Sequence, residues 1–97
     1  MLDILKDMMR GRHSAVTDPS LKVRTEGGVM YIFYTAKSGM LIYDISNPNG
    51  QVMLKGELNA EQAENTIDVT SLRKGNYTLY LIDGSDLVKY PFIYYPE

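Results

Sequence analysis

The stretch that most constrains this chain is Asp68-Val69-Thr70-Ser71-Leu72-Arg73-Lys74-Gly75-Asn76-Tyr77-Thr78-Leu79-Tyr80-Leu81. A short strand ends, Leu72 is tucked in, Lys74-Gly75 turns, and Tyr77 opens a strand of alternating apolar residues. That order fits a corner between the two sheets of a β-sandwich, with the tyrosine hydroxyl tied back to backbone a few residues upstream.

The rest of the chain supplies strands at the pace a sandwich needs. Leu21 to Thr25 is short and alternating, and Glu26-Gly27-Gly28 turns. Val29 to Thr35 is apolar on both faces, as in a central strand. Tyr31 and Phe33 are expected to fill the core from it, with Tyr43, Tyr77 and Phe92. Met40 to Ser46 alternates, with Leu41, Tyr43 and Ile45 inward and Asp44 and Ser46 outward. Asn47-Pro48-Asn49-Gly50 is a hairpin turn, because Asn-Gly tolerates positive φ. Gln51 to Glu57 returns, with Val52 and Leu54 inward. The polar connection from Leu58 to Asn65 reads as a loop crossing the sandwich. Thr66 to Val69 and Asn76 to Asp83 are the next strands, and Asp83-Gly84-Ser85-Asp86 turns into Leu87 to Tyr95. Pro91 marks that last strand as an edge or a bulge.

The expectation is therefore an all-β fold: a seven-stranded antiparallel sandwich of the immunoglobulin or fibronectin-III kind. The turns pair strand three with four and strand six with seven. The corner passes the chain between sheets from strand five to strand six. Ninety-seven residues make one domain. The sandwich is assigned to 14–97. Residues 1–13 are assigned to a tail or a short helix, because Leu2, Leu5 and Met9 recur at helical spacing ahead of Gly11. Such a segment either frays or lays its apolar face on the sandwich or on a second copy.

The order of motifs from Met40 onward resembles small secreted domains of Bacteroidetes. The skeleton is Leu41-Ile42-Tyr43-Asp44-Ile45-Ser46-Asn47-Pro48-Asn49-Gly50-Gln51-Val52, then Ile67-Asp68-Val69-Thr70-Ser71-Leu72, then Lys74-Gly75-Asn76-Tyr77-Thr78-Leu79. It is similar to a family of stand-alone immunoglobulin-like domains of unknown function, and to the related C-terminal sorting domain of the type IX secretion system. The resemblance covers about Ser14 to Tyr94. It implies export to the periplasm or cell surface, with the signal peptide removed, and carries no catalytic residue.

Chemistry-bearing residues are sparse. There is no cysteine and one histidine, His13, in a polar linker. A hydrolase triad needs a histidine oriented by a carboxylate next to a nucleophile, and His13 has no such context. Asp83 and Asp86 flank a tight turn, where Asp serves turn geometry. No enzyme, cofactor or metal is expected. The formal net charge of −2, with scattered basic residues, argues against nucleic acid. No run approaches the roughly 20 apolar residues of a membrane-spanning helix. The eight tyrosines and two phenylalanines stand out. Tyr34, Tyr80, Tyr90, Tyr94 and Tyr95 exceed what the core needs and are candidates for contact with a protein or carbohydrate surface. The functional expectation is a non-catalytic binding or adhesion module, the alternative a structural or sorting appendage.

Overall fold

The computed structural model describes residues 15–96. The tail or helix assigned to 1–13, and His13 with it, lies outside the described residues.

Seven strands follow in order: β1 (Lys22–Glu26), β2 (Val29–Phe33), β3 (Leu41–Ser46), β4 (Val52–Leu58), β5 (Glu64–Asp68), β6 (Gly75–Asp83) and β7 (Asp86–Tyr94). They form two antiparallel sheets, β1-β2-β5 and β4-β3-β6-β7. Besides the β1–β2 hairpin, the two hairpins expected from their turn residues form, β3 with β4 and β6 with β7. At the first, Asn47 Oδ1 accepts from the N–H groups of Asn49 and Gln51, and Gly50 takes a φ of +80°.

The corner carries the chain from β5 in one sheet to β6 in the other. Asp68 Oδ1 accepts from the hydroxyl and the N–H of Thr70, which holds its carboxyl below the ordinary value and starts the turn. Leu72 is buried. The Tyr77 hydroxyl donates to the Arg73 carbonyl at 2.6 Å. The corner also clasps the β1–β2 turn, because Val69 N–H donates to Gly28 O. Gly28 sits at φ +79°, and a Cβ there would run into the Thr70 side chain. Gly28→Ala therefore adds backbone strain to a clash and is expected to cost about 2 kcal/mol or more. Urea titration checks this; an unchanged midpoint would mean that the turn and corner do not lock.

The core lies between the sheets. Met30 and Ile32 from β2 meet Leu41 and Ile45 from β3 and Leu79 and Leu81 from β6. Two sequence expectations change here. Tyr31 and Phe33 do not fill the core but stand half-buried on the far side of their sheet, while Met30, Ile32 and Tyr34 point in. A strand apolar at every position gives no mark of phase, and a one-residue slip turns every side chain over. Val52 also turns out rather than in, at 36% exposed. A register shift at Ile45/Ser46 pairs Val52 with Ser46, leaving Leu54 as the residue packed against the core.

Candidate interaction face

The larger sheet packs one face on its partner sheet, and the register defines what the other face presents. Three rows cross it from β4 through β3 and β6 to β7. The first is Val52, Ser46, Thr78 and Pro91; the second Lys55, Asp44, Tyr80 and Lys89; the third Glu57, Ile42, Ile82 and Leu87. A solvated outer face normally alternates to polar residues, yet this one carries Ile42, Ile82 and Leu87 side by side, all half-buried. The middle of the face is more unusual. Asp44 is 4% exposed and Ser46 3%, although both point away from the core side that holds Ile45. Ser46 Oγ donates to Asp44 Oδ1 at 3.4 Å. Alternation along β3 correctly turned the two residues outward; nothing local indicated that they would be buried.

At one end of this face an open groove of about 320 Å³ lies between Pro48 of the β3–β4 turn and Pro91 and Ile93 of β7. Its floor includes Asn76 and Thr78. Ile93 is 57% exposed. Residue 91 directs its backbone toward open solvent at the sheet edge, so a proline without an N–H leaves no ladder donor unpaired there. Further along the same edge, Val16 forms a parallel bridge to Val88, donating to Leu87 O and accepting from Lys89 N–H.

The five candidate tyrosines do not share a surface. Tyr34 and Tyr94 are buried core residues, which removes them from any exposed patch. Tyr90 pairs with Leu79 and leans half-buried against the core. Tyr80 stands in the middle row of the outer face. Tyr95 follows β7, 62% exposed, with the Lys74 ammonium 5.3 Å from its ring centre. Tyr34 is not surplus to the core, and its partner is distant in sequence. Its hydroxyl donates to Asp83 Oδ2 at 2.7 Å, across the sandwich.

Asp83 is a buried ionisable side chain with a built environment. It is 2% exposed, and its carboxylate accepts from four donors: the Tyr34 hydroxyl, the Ser38 hydroxyl, and the N–H groups of Lys37 and Ser38. Burial alone would raise its pKa. The hydrogen bonds from Lys37, Ser38 and Tyr34 outweigh that and hold it at about 2. Burial, then the bond to Asp83 and its charge, pushes the Tyr34 hydroxyl far above the ordinary tyrosine value. Both groups are spent on tying the sheets together and offer nothing to a substrate. Asp83 is buried, whereas Asp86, its partner across the turn, is exposed. Among the described residues no group of three or more His, Asp or Glu side chains is placed to hold a metal ion. No helix among them is long and apolar enough to cross a membrane.

Comparison with known proteins agrees with this architecture. A crystal structure of a DUF3244 family protein with an immunoglobulin-like β-sandwich fold, from Bacteroides vulgatus ATCC 8482, superimposes with a TM-score of 0.65. The match is 15% identical and covers 78% of this chain and 84% of that one. At that identity it speaks for the fold alone. No curated protein matches the chain. A family model for secretion system C-terminal sorting domains matches residues 27–93, from the β1–β2 turn into the last residues of β7. With most of its length matched in that way, the chain belongs to the secretion system C-terminal sorting domain family and is of an exported kind.

Proposed function

We propose that the sandwich works as a sorting appendage: a folded, non-catalytic domain whose surface is read by the export machinery of the cell envelope. The observation that carries this reading is the family match over residues 27–93, which takes in β2 to β7 together with the corner and the β3–β4 and β6–β7 hairpins. The chemistry is in keeping with it. Asp83 is saturated by four donors, and the groove between Pro48 and Ile93 is lined mainly by apolar side chains. Recognition of such a domain rests on shape and on the outer sheet face.

A second reading is an exported binding or adhesion module for a protein or carbohydrate surface. The groove between Pro48 and Ile93 favours it, since apolar rims with amide and hydroxyl groups suit either partner. Tyr77 is then the tyrosine that lines the ligand's groove.

One experiment separates the two. The full chain is attached to the C-terminus of a fluorescent reporter bearing an inner-membrane signal peptide. It is produced in a Bacteroidetes host with and without the outer-membrane translocon for these domains. The expected result is reporter at the surface or in the medium only when the translocon is present. Equal retention in the periplasm of both hosts would overturn the sorting role. Retention combined with binding of the purified chain to surface glycans or envelope proteins would favour the second reading.

A further inference from the structure

The edge strand of a sheet presents a row of backbone donors and acceptors that another chain can pair with. The two sheets end on β1 and β5, and on β4 and β7. Three of these edges carry a guard. β7 has Pro91 and the Val16 bridge along its outer side. β5 holds Glu64 and Asp68 at its two ends, so a copy laid antiparallel along its whole length would set acid against acid. β1 is five residues long, and its Arg24 guanidinium lies over the Tyr31 ring at 4.8 Å. β4 is longer, at seven residues, and its pairing with β3 is regular from Leu54 to Leu58. Among the described residues, no strand pairs with its other side.

We propose that β4 pairs antiparallel with β4 of a second copy of this chain, with each Lys55 opposite the other copy's Glu57. The backbone settles which residues can bond outward. Gly84 N–H donates to Met40 O, so Met40 faces β6, and by alternation Leu41, Tyr43 and Ile45 face β4. Their partners Leu58, Gly56 and Leu54 are bonded to β3, which leaves Lys55 and Glu57 directing N–H and C=O away from the sheet. Outward-bonding residues must lie opposite one another across a new antiparallel pair. One such register sets Lys55 against Lys55, and another sets Glu57 against Glu57. The register between them sets Lys55 against Glu57 twice, once on each side of a two-fold axis. That axis falls at Gly56, in the narrow kind of pair where side chains crowd most, and glycine has none. On the core side Leu54 meets Leu58, and both already pack against the core of their own copy. The ladder stops at Asn59, whose N–H donates to Asn65 Oδ1 and whose carbonyl accepts from Asn65 Nδ2 and from Gln62 N–H. Lys55 and Glu57 are both exposed on the outer face, where opposite charges can meet. The pairing joins two four-stranded sheets into one continuous sheet.

Sedimentation equilibrium of the full chain at rising concentration is expected to show monomer passing into dimer. Glu57→Lys places lysine against lysine at both charge pairs and should raise the dimer dissociation constant about tenfold or more. Glu57 is exposed and stands opposite Ile42 in its own sheet, so this variant keeps the sandwich folded. Lys55→Glu places acid against acid and should weaken the dimer to a similar degree. Mixed in equal amounts, the two variants regain opposite charges at both pairs and should form a heterodimer about as tight as the parent dimer. Lys55 stands opposite Asp44 in its own sheet, so if Lys55→Glu fails to fold, Glu57→Lys decides alone. A parent chain that stays monomeric at every concentration would overturn the proposal. So would a dimer that Glu57→Lys leaves unchanged, because the contact then lies on another surface or in another register. Folded variants that dissociate singly and do not recombine would show that Lys55 and Glu57 do not face each other, and would overturn it as well.

Discussion

Asp83→Ala is expected to lower the stability of the folded chain by about 3–5 kcal/mol, the usual cost of breaking a buried, fully hydrogen-bonded charge site. The reason is geometric. The Asp83 carboxylate sits on the last residue of β6 and receives the Tyr34 hydroxyl from the opposite sheet. It also receives the Lys37 and Ser38 N–H groups and the Ser38 hydroxyl from the β2–β3 connection. Alanine leaves these donors facing a void. A domain of this size is stable by only about 5–15 kcal/mol, so the variant should be near its limit at room temperature. Tyr34→Phe removes one donor and leaves the rest, and should cost about 1.5–3 kcal/mol, the range for a bond to a charged group. The same site sets an acid limit. The folded-state pKa of about 2 lies below the ordinary value of 3.8, so the ionised carboxylate favours the folded state. That contribution is complete above about pH 5. It fades as pH falls through the unfolded-state value toward 2, and amounts to about 2 kcal/mol in all. Urea midpoints measured from pH 7 to pH 2 should show a steep acid limb in the parent chain and a flatter one in Asp83→Ala. Parallel limbs, or a loss below about 1 kcal/mol at pH 7, would show that the cage does not hold the sheets.

What was legible in the sequence is what short-range chemistry encodes. The Asn47 to Gly50 turn and the Leu72 to Tyr77 corner are local, and both formed as their residues require. Alternation along β6 placed Tyr77, Leu79 and Leu81 inward because polar or half-exposed residues separate them. Each miss has a non-local cause. β2 lacks the polar residues that would reveal its phase, so the inward positions of Met30, Ile32 and Tyr34 depend on the sheet packed against them. The position of Val52 follows from a register shift between two strands, which neither strand shows alone. Tyr34 is not surplus to the core, and the carboxylate it serves is 49 residues away. The candidate tyrosines consequently fell apart into core, edge and face residues. The outer-face row of Ile42, Ile82 and Leu87 emerged only when three strands were brought into register.

Tyr77→Ala is expected to cost about 3–5 kcal/mol, as for other buried aromatic truncations, whereas Tyr77→Phe should cost only about 1 kcal/mol. The two substitutions separate two functions of one side chain. The ring is buried at 9% exposure and stacks on Phe92 with centroids 5.8 Å apart and planes 28° from parallel. Alanine removes that packing where β6 and β7 run together from the corner. Phenylalanine keeps the ring and deletes the 2.6 Å bond to the Arg73 carbonyl. Arg73 itself is exposed, so water can reach the corner and satisfy the freed carbonyl, which places the loss near the value for an ordinary hydrogen bond rather than for a buried orphan. Thermal or urea unfolding of the two variants gives the split directly. If phenylalanine costs as much as alanine, the hydroxyl rather than the ring holds the corner. If phenylalanine costs nothing, the chain crosses between the sheets without its tether, and Leu72 with the Gly28–Val69 backbone bond carries the corner alone.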